Sequence, residues 1–161
     1  MLFLRNVEVG GEEDVGDLDI RHLIFDNCWW AEVFAGDLLD RFHHLETLVL
    51  FDVGDNNLVS LITALPTTIR RVHILEHESD VDEDRTNAPH VLPHLVSFTY
   101  TLLSSGDAPA ENGPDRDALA EVQQIVESII DAPQCTFKFQ RSTMSPEAAL
   151  AEALATLKLD L

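Results

Sequence analysis

The chain has 161 residues, a length that suits one domain with a sizeable core. Apolar residues at 45% and charged residues at 24% are the balance of an ordinary globular protein, and no apolar run approaches the ~18–20 residues a membrane span needs. A net charge of −19 argues against a nucleic-acid partner, which needs a basic face, and equally against an anionic membrane surface.

The start, Met1-Leu2-Phe3-Leu4-Arg5-Asn6, lacks the basic head and long apolar stretch of a secretory signal. An intracellular location, cytoplasmic or nuclear, is therefore expected. From there one spacing recurs: apolar, two residues, apolar, one residue, apolar. It appears as Leu4-x-x-Val7-x-Val9, Ile20-x-x-Leu23-x-Phe25, Leu45-x-x-Leu48-x-Leu50, Ile69-x-x-Val72-x-Ile74 and Leu95-x-x-Phe98-x-Tyr100, with a degenerate sixth copy at Gln134-x-x-Phe137-x-Phe139. The middle positions Val7, Leu23, Leu48, Val72, Phe98 and Phe137 stand 16, 25, 24, 26 and 39 residues apart. The last half of each copy has period two, the mark of a strand with one buried face.

Helical segments fall between the copies: 35–42, then 55–65 with Asp55 as cap and Pro66 as stop, then 115–131 with an apolar stripe through Leu119, Val122, Ile125, Val126, Ile129 and Ile130. Acidic and polar stretches at about 76–91 and 104–114 read as loops. Ser145-Pro146-Glu147 opens a last helix to about 158, with a seam of Leu150, Leu154, Leu157 and Leu161, expected to cap the array at about 145–159. Strand followed by helix, repeated, makes parallel strands with right-handed crossovers.

The runs Leu45-Glu46-Thr47-Leu48-Val49-Leu50 and Leu92-Pro93-His94-Leu95-Val96-Ser97-Phe98 resemble entries into leucine-rich repeats, in particular the irregular repeats of F-box-type proteins of fungi and plants. The resemblance covers about residues 2–140. It implies an α/β solenoid forming one domain over 1–161, with a curved parallel sheet of five to six strands, helices on the convex side only and a C-terminal capping helix. The family's Asn or Cys after the last strand leucine is matched by Cys28 alone, with Val53, His77 and Leu103 in the other places. No F-box is seen in the sequence. The function the resemblance implies is protein binding, as in the substrate-recognition part of a ubiquitin-ligase adaptor.

Chemistry-bearing motifs are sparse. Gly-x-Ser-x-Gly, the Walker loop and Gly-x-Gly-x-x-Gly are absent, so no catalytic residue and no cofactor is expected. His73 and His77, four apart on a strand, would lie on one face but ~13 Å apart, too far to share an ion, so no metal is expected. His43-His44 reads as a surface pair at a helix end, and Trp29-Trp30 as one packed and one half-exposed ring. Cys28 and Cys135 read as separate core thiols.

The expected binding surface is the face of the sheet opposite the strand leucines: His22, Ile24 and Asp26; Thr47, Val49 and Phe51; Arg71, His73 and Leu75; Ser97, Thr99 and Thr101; with Lys138 extending it. Ile24, Val49, Phe51 and Leu75 would form an apolar patch rimmed by polar groups. The alternative is that the loops cover them and make this face a second core. The expected partner is a protein, a basic one by charge. Two further readings stay open: a small enzyme or ligand-binding protein of a doubly wound α/β fold, with helices on both faces, and an acidic inhibitor of a basic enzyme.

Overall fold

A computed structural model describes residues 1–5, 8–9, 19–26, 29–30, 39, 41–52, 58–77, 89–103 and 115–158. The strands are β1 (Leu2–Arg5), β2 (Glu8–Val9), β3 (His22–Asp26), β4 (Trp29–Trp30), β5 (Thr47–Phe51), β6 (Arg71–Glu76), β7 (His90–Val91), β8 (Ser97–Leu103), β9 (Ile130–Asp131) and β10 (Thr136–Ser142). The helices described over their length are α1 (Leu58–Thr63), α2 (Asp115–Ile129) and α3 (Pro146–Thr156). Six strands form one parallel sheet in the order β1-β3-β5-β6-β8-β10, which is chain order without reversal. Two short parallel pairs, β2 with β4 and β7 with β9, lie outside it.

The sequence repeat has a structural counterpart. A four-residue turn precedes β5, β6, β8 and β10: Leu45 N–H donates to Phe42 O, Ile69 to Pro66 O, Leu95 to Leu92 O and Cys135 to Ala132 O, at 3.0–3.2 Å. The repeats are then tied in a ladder. Arg21 O accepts from Glu46 and Thr47, Glu46 O from Arg70 and Arg71, and Arg70 O from Val96 and Ser97. In the last copy Val96 O receives only Thr136 N–H. There the turn sits one residue closer to its strand, which is why the sixth copy looks degenerate in the sequence.

Register places Leu23, Leu48, Val72, Phe98 and Phe137 side by side, as their spacing requires. The first copy differs. Leu2, not Val7, stands opposite Leu23. Leu2-Phe3-Leu4 carries the same alternation as Val7-x-Val9, and pairing at Leu2 sets Phe3 beside Ile24 on one face.

The two faces of the sheet carry different layers. Leu23, Phe25, Leu48, Leu50, Val72, Ile74, Phe98 and Tyr100 pack against Leu58, Leu61 and Ile62 of α1 and Val122, Ile125, Val126 and Ile129 of α2. Period two along the strands meets period 3.6 along the helices, and the result is one continuous core. Phe98 sits between Phe137 and Phe139, with ring centroids 6.1 and 6.3 Å away. Of the helix expected over 35–42, only Leu39, Arg41 and Phe42 are described, and both apolar residues are buried. The helix expected over 115–131 ends at Ile129, because Ile130 and Asp131 turn into β9.

The opposite face overturns an expectation. α3 does not cap the end of the array. It lies across this face, burying Ala149, Leu150, Ala153, Leu154 and Leu157 against Phe3, Ile24, Val49, Phe51, Leu75 and Leu103. The described helices therefore stand on both sides of the sheet. The cause is in the residues: a helix whose apolar seam needs cover, and an apolar column of the sheet that α1 and α2 leave uncovered. Ser145 caps α3 by accepting Ala148 N–H at 3.3 Å, and Pro146 occupies its first turn.

Candidate functional site

Strand register turns the opposite face into columns. One runs Phe3, Ile24, Val49, His73, Thr99, Lys138; the next runs Arg5, Asp26, Phe51, Leu75, Thr101, Gln140. A third runs His22, Thr47, Arg71, Ser97, Thr136. Apolar residues give way to polar ones at β6 in the first column and at β8 in the second. α3 covers the apolar half, and the polar half stays open beside it.

The expected surface residues thus divide. Ile24 and Val49 are fully buried, Leu75 and Phe51 nearly so, all beneath α3. They are not an exposed apolar patch, because α3 takes the place a partner would occupy. Asp26 and Thr47 are also buried, His22 is half-buried with an unpartnered Nδ1, and Arg71 is exposed. His73, Leu75, Ser97, Thr99, Thr101 and Lys138 come together along a groove of about 180 Å³ between the sheet and α3.

The other wall residues were not singled out in the sequence. β10 contributes Thr136, Gln140 and Ser142, and α3 contributes Glu152 and Thr156. For β10 the signal was available: Thr136, Lys138, Gln140 and Ser142 alternate with Phe137 and Phe139. For α3 none was, because its docking site is set by residues more than 45 positions earlier.

The groove floor is a short polar network. Gln140 Nε2 donates to Thr101 Oγ1 at 3.1 Å, and Thr101 Oγ1 lies 3.2 Å from His73 Nε2. Burial, with a smaller push from the Lys138 charge, lowers the His73 pKa to about 4. His73 is therefore neutral at pH 7, and the Thr101 hydroxyl can donate to its Nε2. The network links three strands across the floor and carries no net charge.

A second polar cluster lies at the ends of β5, β6 and β8. Tyr100 Oη donates to Glu76 Oε2 at 2.7 Å. Withdrawal from water raises the Glu76 pKa to about 7; the Tyr100 hydrogen bond pulls it back and the Asp52 charge pushes it up. The Tyr100 hydroxyl is in turn held far above its ordinary pKa by burial and by Glu76. Asp52 takes a positive φ of 46°, a bend that aspartate tolerates, and its Oδ1 lies 3.2 Å from His77 Nδ1. Phe51 meets the His77 ring edge-on at 6.3 Å.

His73 and His77 thus take different partners. Among the described residues no three His, Cys, Asp or Glu side chains are placed to hold a metal. His90 Nε2 donates to Leu65 O at 2.8 Å, a structural tie. Cys135 is half-buried against the core, and burial pushes its thiol up to about 11. Cys28, most of the 76–91 loop and all of 104–114 lie outside the described residues, as do the side chains of Trp29 and Trp30. Comparison with family models, curated proteins and solved structures returned no match.

Proposed function

We propose that the chain is a protein-interaction module of the leucine-rich-repeat type, and that its working surface is the open polar half of the face shared with α3. The observation that carries this is the split of that face. Its apolar half is sealed, while Ser97, Thr99, Thr136 and Lys138 remain accessible beside a groove. The strand order and the repeated carbonyl ladder support the repeat reading.

One observation favours the alternative of a doubly wound enzyme or ligand-binding protein: helices stand on both faces of the sheet. The strand order counts against it. Doubly wound sheets bind ligands where the order reverses, and these six strands run in chain order throughout.

Thr99→Arg would fill the groove without touching the apolar core. Ala151→Arg changes the exposed side of α3 and serves as the control. The immobilised protein should retain a partner from the source cells that Thr99→Arg loses and Ala151→Arg keeps. A partner retained equally by both variants overturns the assignment of the surface.

A further inference from the structure

The chain as a whole is strongly acidic, yet among the described residues the open strip of this face carries two cations. The chain has 10 Lys and Arg against 29 Asp and Glu. Two of those ten, Arg71 and Lys138, stand on the open half of the α3-side face, in strands that flank β8 from either side. Both are exposed, and among the described residues neither side chain enters an ion pair or hydrogen bond. Elsewhere basic groups do pair, as Arg21 does with Glu46 and His77 with Asp52.

Between the two cations lies a block of hydroxyls. Ser97 is the register partner of both Arg71 and Thr136, and Thr99 is the partner of both His73 and Lys138. Neighbouring side chains in such a block are ~5 Å apart across strands and ~7 Å along them. Arg71 and Lys138 are long enough to converge over Ser97 and Thr99 from opposite sides. A guanidinium, an ammonium and two or three hydroxyls are all donors, and together they match an oxyanion. His73 beneath them is neutral and leaves that positive field intact. Among the described residues, the one carboxylate lining the groove is Glu152, on the α3 wall.

We propose that this strip binds the carboxylates of an acidic, extended peptide segment. The inference rests on the reading of this face as the interaction surface, and it names the chemistry of what is bound. The peptide would lie along the groove, its carboxylates on Arg71 and Lys138 and its backbone against Thr99, Thr101 and Gln140. The acidic segment sits toward the sheet, away from Glu152. Such contacts act at short range, since the overall charge of −19 repels an approaching anion.

The test is fluorescence anisotropy with dye-labelled penta-glutamate and penta-lysine at 0.15 M salt, a level that screens the long-range field to about 8 Å. Amide shifts in a heteronuclear correlation spectrum would map the contact. Penta-glutamate should bind, with shifts concentrated at Arg71, Ser97, Thr99 and Lys138. Arg71→Ala and Lys138→Ala should each weaken it about tenfold, the worth of one charge-assisted contact. Lys138→Arg should retain binding, and Glu152→Gln should strengthen it. Binding that survives Arg71→Ala with Lys138→Ala, or no binding of penta-glutamate, overturns the proposal. Preference for penta-lysine, lost in Glu152→Gln, would keep an interaction groove here but overturn its assignment to an anionic segment.

Discussion

At the scale of single residues, the sharpest chemistry is the Tyr100–Glu76 pair. Glu76 is a carboxylate withdrawn from water and held partly ionisable by one phenol. Because the Tyr100 hydrogen bond lowers the Glu76 pKa, Tyr100→Phe should raise it above about 7. Carbon-13 NMR titration of the Glu76 carboxyl would show this, and an unchanged midpoint would mean that the hydrogen bond does not tune it. The His73–Thr101–Gln140 chain differs: it is buried, neutral and serves the groove floor. Thr101→Val removes the acceptor of Gln140 and the partner of His73 at once. It should destabilise the fold by about 1–3 kcal/mol, read as a lower urea midpoint, because buried His73 and half-buried Gln140 lose their partner.

At the scale of elements, α3 decides what the opposite face can do. Its seam of Ala149, Leu150, Ala153, Leu154 and Leu157 packs on Ile24, Val49, Phe51 and Leu75. Leu154→Ala should cost about 2–5 kcal/mol. Leu154→Asp should go further and detach the helix, exposing the apolar column beneath it. A hydrophobic dye should then gain fluorescence while the far-ultraviolet strand signal persists. Loss of the strand signal in the same variant would show that α3 and the sheet fold as one unit. Ser145→Ala removes only the cap, at a cost of about 1 kcal/mol.

At the scale of the whole molecule, His73 and Glu76 oppose one another in the dependence of stability on pH. Glu76 is raised from 4.5 to about 7 on folding, so its contribution is present below pH 4.5 and is lost as pH rises to about 7. His73 is lowered from 6.5 to about 4, so its contribution is present above pH 6.5 and is lost as pH falls to about 4. Between about pH 4.5 and 6.5 the two slopes, each about 1.4 kcal/mol per pH unit, nearly cancel. Glu76→Gln removes the falling slope. Its stability relative to the parent should therefore rise with pH across this window, by an amount of order 3 kcal/mol in urea-unfolding experiments. His73→Gln should show the reverse trend. Parallel curves for parent and variants would mean that neither group titrates as its surroundings imply.

Local periodicity determined five of the six strands of the main sheet and their facing. Five of the six middle apolar positions stand where their spacing put them, and the columns through Ile24, Val49, His73 and Thr99 and through Phe51, Leu75 and Thr101 follow from that register alone. The first strand was misread because Leu2-Phe3-Leu4 and Val7-x-Val9 alternate alike, and a period of two carries no information about which of two such runs pairs. What only the tertiary structure decided is which half of the columned face stays open. The seam of α3 is plain in the sequence, but a seam states that a helix must be covered, not by what. Its match to Ile24, Val49, Phe51 and Leu75 joins residues far apart in the chain, and burial of apolar area is non-directional. That long-range choice turned an apolar patch into a second core, and left Arg71, Ser97, Thr99 and Lys138 open beside the groove.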